Sequence, residues 1–365
     1  MITIVGAGMG GLTLARVLHR GGVDAVVYDA DPSPTARHQG GMLDIHEDTG
    51  QAALRAAGLS EGFERLVLEQ GDALRILDKT GAVRLSHPGN GARPEVERGA
   101  LRDLFLASLP PGMVRWNARV TGVARTDEGG FRLSFADGSA AETDVLVGAD
   151  GAWSKVRSLV SDAAPIYAGL SAVELRYRDA DAKHPVAAAL VGSGMMMALS
   201  DGRGILGHRE PGNELCIYAA LQVPAEWCEQ TITREMLRAH FADWHPDFRA
   251  LLAQSDGALQ PRPVWVLAVG HRWPRVPGVT LVGDAAHLMS PFAGEGVNLA
   301  MIDGADLARE ILARPGDIES AFAAYEAAMF PRAEEKAVES AAGLEMAFAP
   351  DAPRGMLDFF AGHGD

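Results

Sequence analysis

Apolar positions fall into two rhythms along this chain. The opening stretch "ITIVGAGMGGLTLARVLHRGGVDAVVYDAD" shows both. Ile2 to Val5 form a short continuous apolar run, as in a strand buried on both faces. Leu12, Ala15 and Leu18 then recur at helical spacing until Gly21-Gly22 ends the pattern, and "VDAVVYD" predicts a second strand closing on Asp29. Further on, "TGQAALRAAGL" and "RGALRDLFLASL" predict amphipathic helices, "FRLSFAD" and "ETDVLVGADG" one strand each, and "VRSLVSD" a helical turn. Residues 165 to 268 change character. Runs such as "GILGHRE" and "ELCIYAALQV", broken by Gly and Pro and interrupted by the helical "TREMLRAHFADW", predict an inserted antiparallel sheet. Near the end "GVTLV" predicts a buried strand and "VNLAMIDGADLAREIL" a long helix. The Ala- and Glu-rich tail is strongly helical, and Pro331 should kink or divide it.

Two glycine-rich segments interrupt these rhythms. Gly6, Gly8 and Gly11 form G-x-G-x-x-G between a strand and a helix. There the first glycine permits a tight turn, the second lets a pyrophosphate approach the backbone, and the third lets helix and strand pack closely. The amides and dipole of the helix start would face the phosphates, and Asp29 would accept from a ribose hydroxyl. An acid at that strand end favours an unphosphorylated ribose, as in FAD or NAD. The second segment, "GDAAHLMSPFAGEGVN", places Asp284 after a strand and two glycines before a helix. One long ligand held at both ends explains the pair: the first loop takes adenosine and pyrophosphate, and Asp284 takes ribityl hydroxyls. The amides of Gly294 to Asn298 would then favour negative charge at the flavin edge. A helix cap is the alternative role for Asp284.

Composition narrows the classes. The chain has 365 residues, 47% hydrophobic and 22% charged, with a net charge of -15. That length suits two domains, and the acidity argues against a broad nucleic-acid or anionic-membrane surface. Cys216 and Cys228 are the only cysteines, and neither Cys-x-x-Cys nor His-x-x-x-His spacing occurs, so no metal and no disulfide framework is expected. The chain starts directly on a strand, without a leader or a spanning apolar run, which points to the cytoplasm. "GLSEG", Gly58 to Gly62, matches G-x-S-x-G but follows a helix, so Ser60 reads as a cap or turn residue rather than a nucleophile. His287, beside Asp284, reads as packing or bonding to backbone. "VGSGMMMA" lacks a third glycine, so no second dinucleotide loop is present, and a nicotinamide cofactor would bind only transiently.

Three motifs in order, "GAGMGG", "VLVGADGAWSKVR" and "TLVGDAAHLMSPFAGEGVN", resemble those of the group A flavoprotein monooxygenases, the para-hydroxybenzoate hydroxylase fold. Through "GGMLDIHEDTGQAALRAAGL", "VERGALRDLFL", "PAEW" and the carboxy-terminal helix, the chain is most similar to the tetracycline-inactivating subgroup. The resemblance implies an α/β fold: a Rossmann-like FAD-binding domain (1–72, 96–162, 268–316), an inserted antiparallel substrate domain (73–95, 163–267) and C-terminal bridging helices (317–365). It also implies FAD, transient NADPH or NADH, and O2. A flavin C4a-hydroperoxide would hydroxylate an aromatic or polycyclic, tetracycline- or polyketide-like small molecule. A monomer is expected, with a dimer as the alternative.

By position, the resemblance assigns Gly6, Gly8, Gly11 and Asp29 to the ADP half of FAD; Asp29 is shorter than the usual Glu. Arg37, Gly40, Gly41, Arg98 and Arg102 come near the cofactor. Asp150, Gly151 and Arg157 match the Asp-Gly motif. Asp284, Pro291, Gly294, Gly296, Val297 and Asn298 match the flavin motif, with Pro291, Gly294 and Gly296 the candidate catalytic positions. Glu174, Met195, Met197, Leu206 and Cys216 are the candidate substrate positions. An ionised Glu174 would repel an anionic enolate, and Met and Cys are weak hydrogen-bond partners, so tetracycline should fit poorly. A flavin halogenase would need a Trp-x-Trp-x-Ile-Pro stretch that "PVWVLAVGHRW" does not supply. A flavin oxidase or reductase on the same fold and a non-catalytic flavin sensor remain the alternatives.

Overall fold

The computed structural model describes residues 1–36, 40–68, 71–89, 91 and 93–362. Arg37 lies outside the described residues.

The short apolar runs pair as a five-stranded parallel sheet in the order Val279–Leu281, Leu146–Gly148, Ile2–Val5, Ala25–Tyr28, Val114–Arg115. Parallel pairing places all the carboxyl ends at one edge. Gly6, Asp29, Asp150 and Asp284, each just beyond a strand end, therefore gather there. The run "ETDVLVGADG" splits into strands Ala140–Thr143 and Leu146–Gly148. The first joins a small antiparallel sheet and only the second enters the parallel one.

The helix Met9–Arg20 packs on the helix Gly296–Ala313. A Cβ on Gly10 would lie 2.8 Å from the Ala300 carbonyl oxygen, and one on Gly304 would lie 2.4 Å from that of Gly10. The two helices thus touch backbone to backbone, and this contact brings together two glycine-rich loops nearly the whole chain apart. Their apolar faces join one core containing Ile4, Leu12, Leu14, Leu146, Leu281 and Met301.

The second large sheet has seven strands, ordered Asp256–Val266, Ile166–Tyr177, Glu214–Leu221, Arg203–Glu210, Met195–Ser200, Leu74–Leu77, Val83–His87. All neighbours are antiparallel except Met195–Ser200 with Leu74–Leu77. One face buries Tyr177, Met196 and Ile217 against Phe241, Trp244 and Phe248. The other packs Ile76, Met197 and Leu199 under the C-terminal residues Ala347, Phe348 and Met356. The Met195–Met197 run alternates between the two faces, as period-2 geometry requires.

The C-terminal helix runs unbroken from Ile318 to Ala347, and Pro331 does not divide it. Proline removes one N–H from the helical ladder, at a cost of about 3 kcal/mol. Tertiary anchors on both sides of it hold the helix together. Phe322, Tyr325 and Met329 are buried before it. After it, Arg332 pairs with Asp303, Lys336 with Glu295, and Ser340 hydrogen-bonds Ser290. These residues recur every four positions, so one helix face grips the flavin-motif region.

Candidate active site

The first glycine loop is shaped by close contacts. A Cβ on Gly6, whose φ is +108°, would lie 2.2 Å from the Ala149 carbonyl oxygen, and one on Gly11 would lie 2.1 Å from that of Gly6. A Cβ on Gly8 would meet nothing within 4 Å. Two glycines serve the fold, and the middle one opens onto a cleft. Asp29 accepts from the Ala7 amide at 2.7 Å and from the Asp31 amide at 2.8 Å. Its carboxylate therefore braces the loop, and its remaining lone pairs are those that could face a ribose.

Arg102 is 4% exposed. It donates to the carbonyls of Ala7 and Pro34, stacks over Trp116, and approaches Asp31 at 3.6 Å. Among the described residues its Nη2 is buried without a hydrogen-bond partner. A buried guanidinium nitrogen short of an acceptor, beside an open glycine at a helix start, fits a phosphate-bearing ligand. Gly40 and Arg98 line the same cleft. The Gly41 carbonyl accepts from the Arg98 amide, which ties those two segments together.

The Asp-Gly segment joins the flavin motif through Arg157, which is buried and donates to the carbonyls of Ala152, Asp284 and Ala285. Asp150 accepts from the Ser154 hydroxyl and the Lys155 amide, and burial pushes its carboxyl up. Asp284 keeps an accessible surface while lying deep among protein atoms. Burial there pushes its carboxyl up, against the pull of His287, Arg98 and Arg157.

Gly294 takes the left-handed conformation, φ +68°, and Gly296 starts the helix with open space where a Cβ would be. Pro291 is exposed and opens the short turn before them; Val297 packs on the parallel-sheet core. Asn298 is fully buried. Its amide donates to the carbonyls of Asp44 and Gly294, and its oxygen accepts from the His46 amide. His287 departs from the expected packing role: its Nε2 lies 2.5 Å from Asp303, an ion pair closed off from water. Asp303 also accepts from the Gly283 amide at 3.0 Å, so the pair fixes the backbone just before Asp284.

The cleft holds about 540 Å³ between the first glycine loop and the seven-stranded sheet, lined by Gly8, Arg98, Glu174, Arg176, Tyr218 and Arg262 among others. Strand register sets the sheet's contribution. Opposed residues share a face, giving one row Glu174–Tyr218–Leu206–Met197–Ile76 and a second Arg176–Cys216–His208–Met195–Leu74. The five sequence-named positions all fall in these two rows. Arg176, Tyr218, His208 and Arg262 were missed. Period-2 counting from Glu174 and Cys216 would have found the first two.

Glu174 departs from the expected bare charge. It bonds Arg176 at 2.7 Å and Arg262 at 3.0 Å, and Arg176 also bonds Glu210. Burial pushes the Glu174 carboxyl up, but the two guanidiniums hold it net below its usual range. It is ionised and neutralised by its partners, so it does not present an isolated negative charge to a ligand. Ser60 is the first residue of a short helix, Ser60–Glu64, whose cap position is Leu59, so it is neither the cap nor a turn residue, and it follows a helix rather than a strand. Among the described residues no cluster of side chains could hold a metal ion, and no helix is long and apolar enough to cross a membrane.

Residues 1–335 match the FAD binding domain family. The chain is 32% identical to the monooxygenase asqM of Emericella nidulans, over 85% of this chain and 83% of that protein. It is 30% identical to the monooxygenase penA of Penicillium thymicola, over 92% of each. Its fold is similar to Klebsiella pneumoniae HpxO complexed with FAD and uric acid, with TM-score 0.80 and 22% identity over 99% of this chain and 92% of that one. It is also similar to the tetracycline destructase Tet(55), with TM-score 0.80 and 17% identity over 100% and 94%. With a glycine-rich loop opening onto this cleft and a family match over most of its length, the chain belongs to the FAD binding domain family and is an FAD-dependent monooxygenase of the group A fold.

Proposed function

We propose that this enzyme uses NAD(P)H and O2 to hydroxylate a polycyclic aromatic substrate with an apolar body and one polar edge. The observation that carries this reading is the gradient along the two rows of the sheet. One end offers Arg176, Tyr218, Arg262 and the paired Glu174. The other offers the half-buried Leu206, Met195 and Leu74, backed by Met197 and Ile76, which are buried under the C-terminal residues. A fused-ring phenol matches both ends: ring carbons displace water from the methionines and leucines, and oxygens accept from guanidinium and phenol donors.

FAD, when bound, supplies the redox chemistry and oxygen activation. Gly6, Gly8, Gly11 and Arg102 would hold its ADP half, and Asp284 with the Gly294–Asn298 segment its ring half. The protein's own part is to orient the substrate on the sheet face and to exclude water with the C-terminal residues Phe348 and Met356. NAD(P)H visits and leaves, since the sequence offers no second dinucleotide loop. We assign the cofactor domain to 1–72, 96–162 and 268–316 and the substrate domain to 73–95 and 163–267. Free cysteines favour a reducing cytoplasm.

The test is NAD(P)H oxidation against a panel running from tetracycline to less polar polycyclic phenols, under isotopically labelled O2. Labelled product, best coupled with the less polar phenols, is expected. NAD(P)H consumption that yields only H2O2 across the panel would favour an oxidase. Efficient coupling on tetracycline would overturn the assigned substrate rows.

A further inference from the structure

His46 has no part in the roles assigned so far, yet it stands where three segments meet the flavin motif. Its ring lies between two carboxylates: Nε2 is 2.8 Å from Asp44 and Nδ1 is 3.4 Å from Glu295. Its backbone amide donates to Asn298, the buried residue that also holds Gly294. Both carboxylates border the glycines of the motif. Asp44 oxygens lie 3.0 Å and 3.1 Å from where a Gly294 Cβ would be, and Glu295 sits between Gly294 and Gly296. The histidine side chain is 14% exposed and that of Glu295 8%, so water screens the pair weakly.

We propose that His46 is a positioning residue for the flavin: its imidazolium clasps Asp44 and Glu295 and so holds the Gly294–Gly296 loop in the shape that receives the ring. The inference rests on FAD binding and is independent of the substrate proposed above. Without a cation between them the two carboxylates would repel, and Glu295 is carried by the loop between Gly294 and Gly296, so their separation would strain that loop. Among the described residues the charged groups around the ring are Asp44 on its own strand, Glu295 at the helix start, Lys336 of the C-terminal helix 3.2 Å behind Glu295, and Arg93 3.6 Å from Asp44. Lys336 and Arg93 each touch one of the two carboxylates from outside, whereas His46 touches both. Burial lowers the affinity of His46 for its proton, but the hydrogen bond to Asp44 and the charges of Asp44 and Glu295 raise its pKa to about 9, so the clasp is closed at neutral pH.

The experiment measures FAD dissociation from reconstituted apoprotein by flavin fluorescence between about pH 6 and pH 10. Wild type and the His46→Gln and Glu295→Gln variants are compared, with circular dichroism and Tm as controls for folding. The wild-type dissociation constant should rise about tenfold as pH passes through the titration of His46. His46→Gln keeps one hydrogen bond but no charge. It should bind FAD about tenfold more weakly at neutral pH and lose that inflection while staying folded by circular dichroism, with some loss of Tm because the raised pKa of His46 also contributes to stability. Glu295→Gln leaves His46 one carboxylate, so its inflection should move to lower pH. The flavin's own N3–H also ionises in alkaline solution, but that event is common to all three proteins. His46→Gln with wild-type affinity and an unchanged profile would overturn the proposal, as would an unmoved inflection in Glu295→Gln. A wild-type protein that binds no FAD at any pH would instead refute the cofactor assignment.

Discussion

Replacing Arg332 with Met should destabilise the protein from beneath the flavin motif. Asp303 is fully buried, and three groups satisfy it: Arg332 Nη2 at 2.9 Å, His287 Nε2 at 2.5 Å and the Gly283 amide at 3.0 Å. Arg332 also reaches Asp306 at 2.7 Å. Methionine keeps much of the stem and removes the charge. Stripping a buried carboxylate of its only partner costs about 3–5 kcal/mol. Here His287 and Gly283 remain, so the loss should be nearer ~2–3 kcal/mol. At roughly 2.1 cal/mol/K per residue, a chain of 365 residues has an unfolding entropy near 0.8 kcal/mol/K, which turns this loss into a Tm drop of about 3–4 °C. The sign with pH follows from the two partners. Charge from its neighbours raises the His287 pKa against the opposing effect of burial, so its contribution is complete below its ordinary value near 6.5 and is lost as pH rises through the raised value. The Asp303 carboxyl is held low despite burial. Its contribution is therefore complete above its ordinary value near 3.9 and is lost as pH falls through the depressed one. Removing Arg332 lets the Asp303 pKa rise, so the variant should fail at a higher pH than wild type on acidification. Differential scanning fluorimetry of apoprotein across pH, with the Asp303→Asn single and double variants, makes the check. The double variant should lose less than the sum of the singles by ~1–3 kcal/mol. Strict additivity, or a Tm drop below about 1 °C in Arg332→Met, would refute the reasoning.

The glycines should separate by role: Gly6→Ala should fail to fold because its Cβ has no room beside Ala149, whereas Gly8→Ala should fold with unchanged Tm and bind FAD weakly. Circular dichroism with flavin titration distinguishes them, and equal FAD affinity in Gly8→Ala would place the pyrophosphate elsewhere. Asp284→Ala should lose FAD by ~1.5–3 kcal/mol per lost charge-assisted bond, read as flavin content after gel filtration. Ser60→Ala should keep full activity, and an inactive, FAD-replete variant would point to a different catalytic centre. Glu174→Gln should leave FAD content unchanged and move Tm little, since Arg262 is largely exposed and such pairs contribute under about 1 kcal/mol. It should raise KM more than it lowers kcat, because it unfastens Arg262 at the polar end of the cleft; an unchanged KM would remove Glu174 and Arg262 from substrate orientation.

What this sequence determined alone is whatever short-range sterics dictate. The run Ile2–Val5, Gly6, Gly8 and Gly11, the helix to Arg20 and the strand ending before Asp29 all appear in the fold, because each follows from contacts within a turn or between adjacent segments. The β-like runs "GILGHRE" and "ELCIYAALQV", expected in an antiparallel sheet, form two strands that pair antiparallel. What the tertiary structure decided involves partners far apart in the chain. Glu174 reads as a free acid until strand pairing sets Arg262 beside it, next to Arg176 two residues along its own strand. Pro331 reads as a break until Arg332, Lys336 and Ser340 find Asp303, Glu295 and Ser290. His287 reads as a packing or backbone-bonding residue until Asp303 arrives from the helix Gly296–Ala313. Sterics act on neighbours in sequence, whereas the state of a buried charge depends on which opposite charge the packed fold brings within about 4 Å.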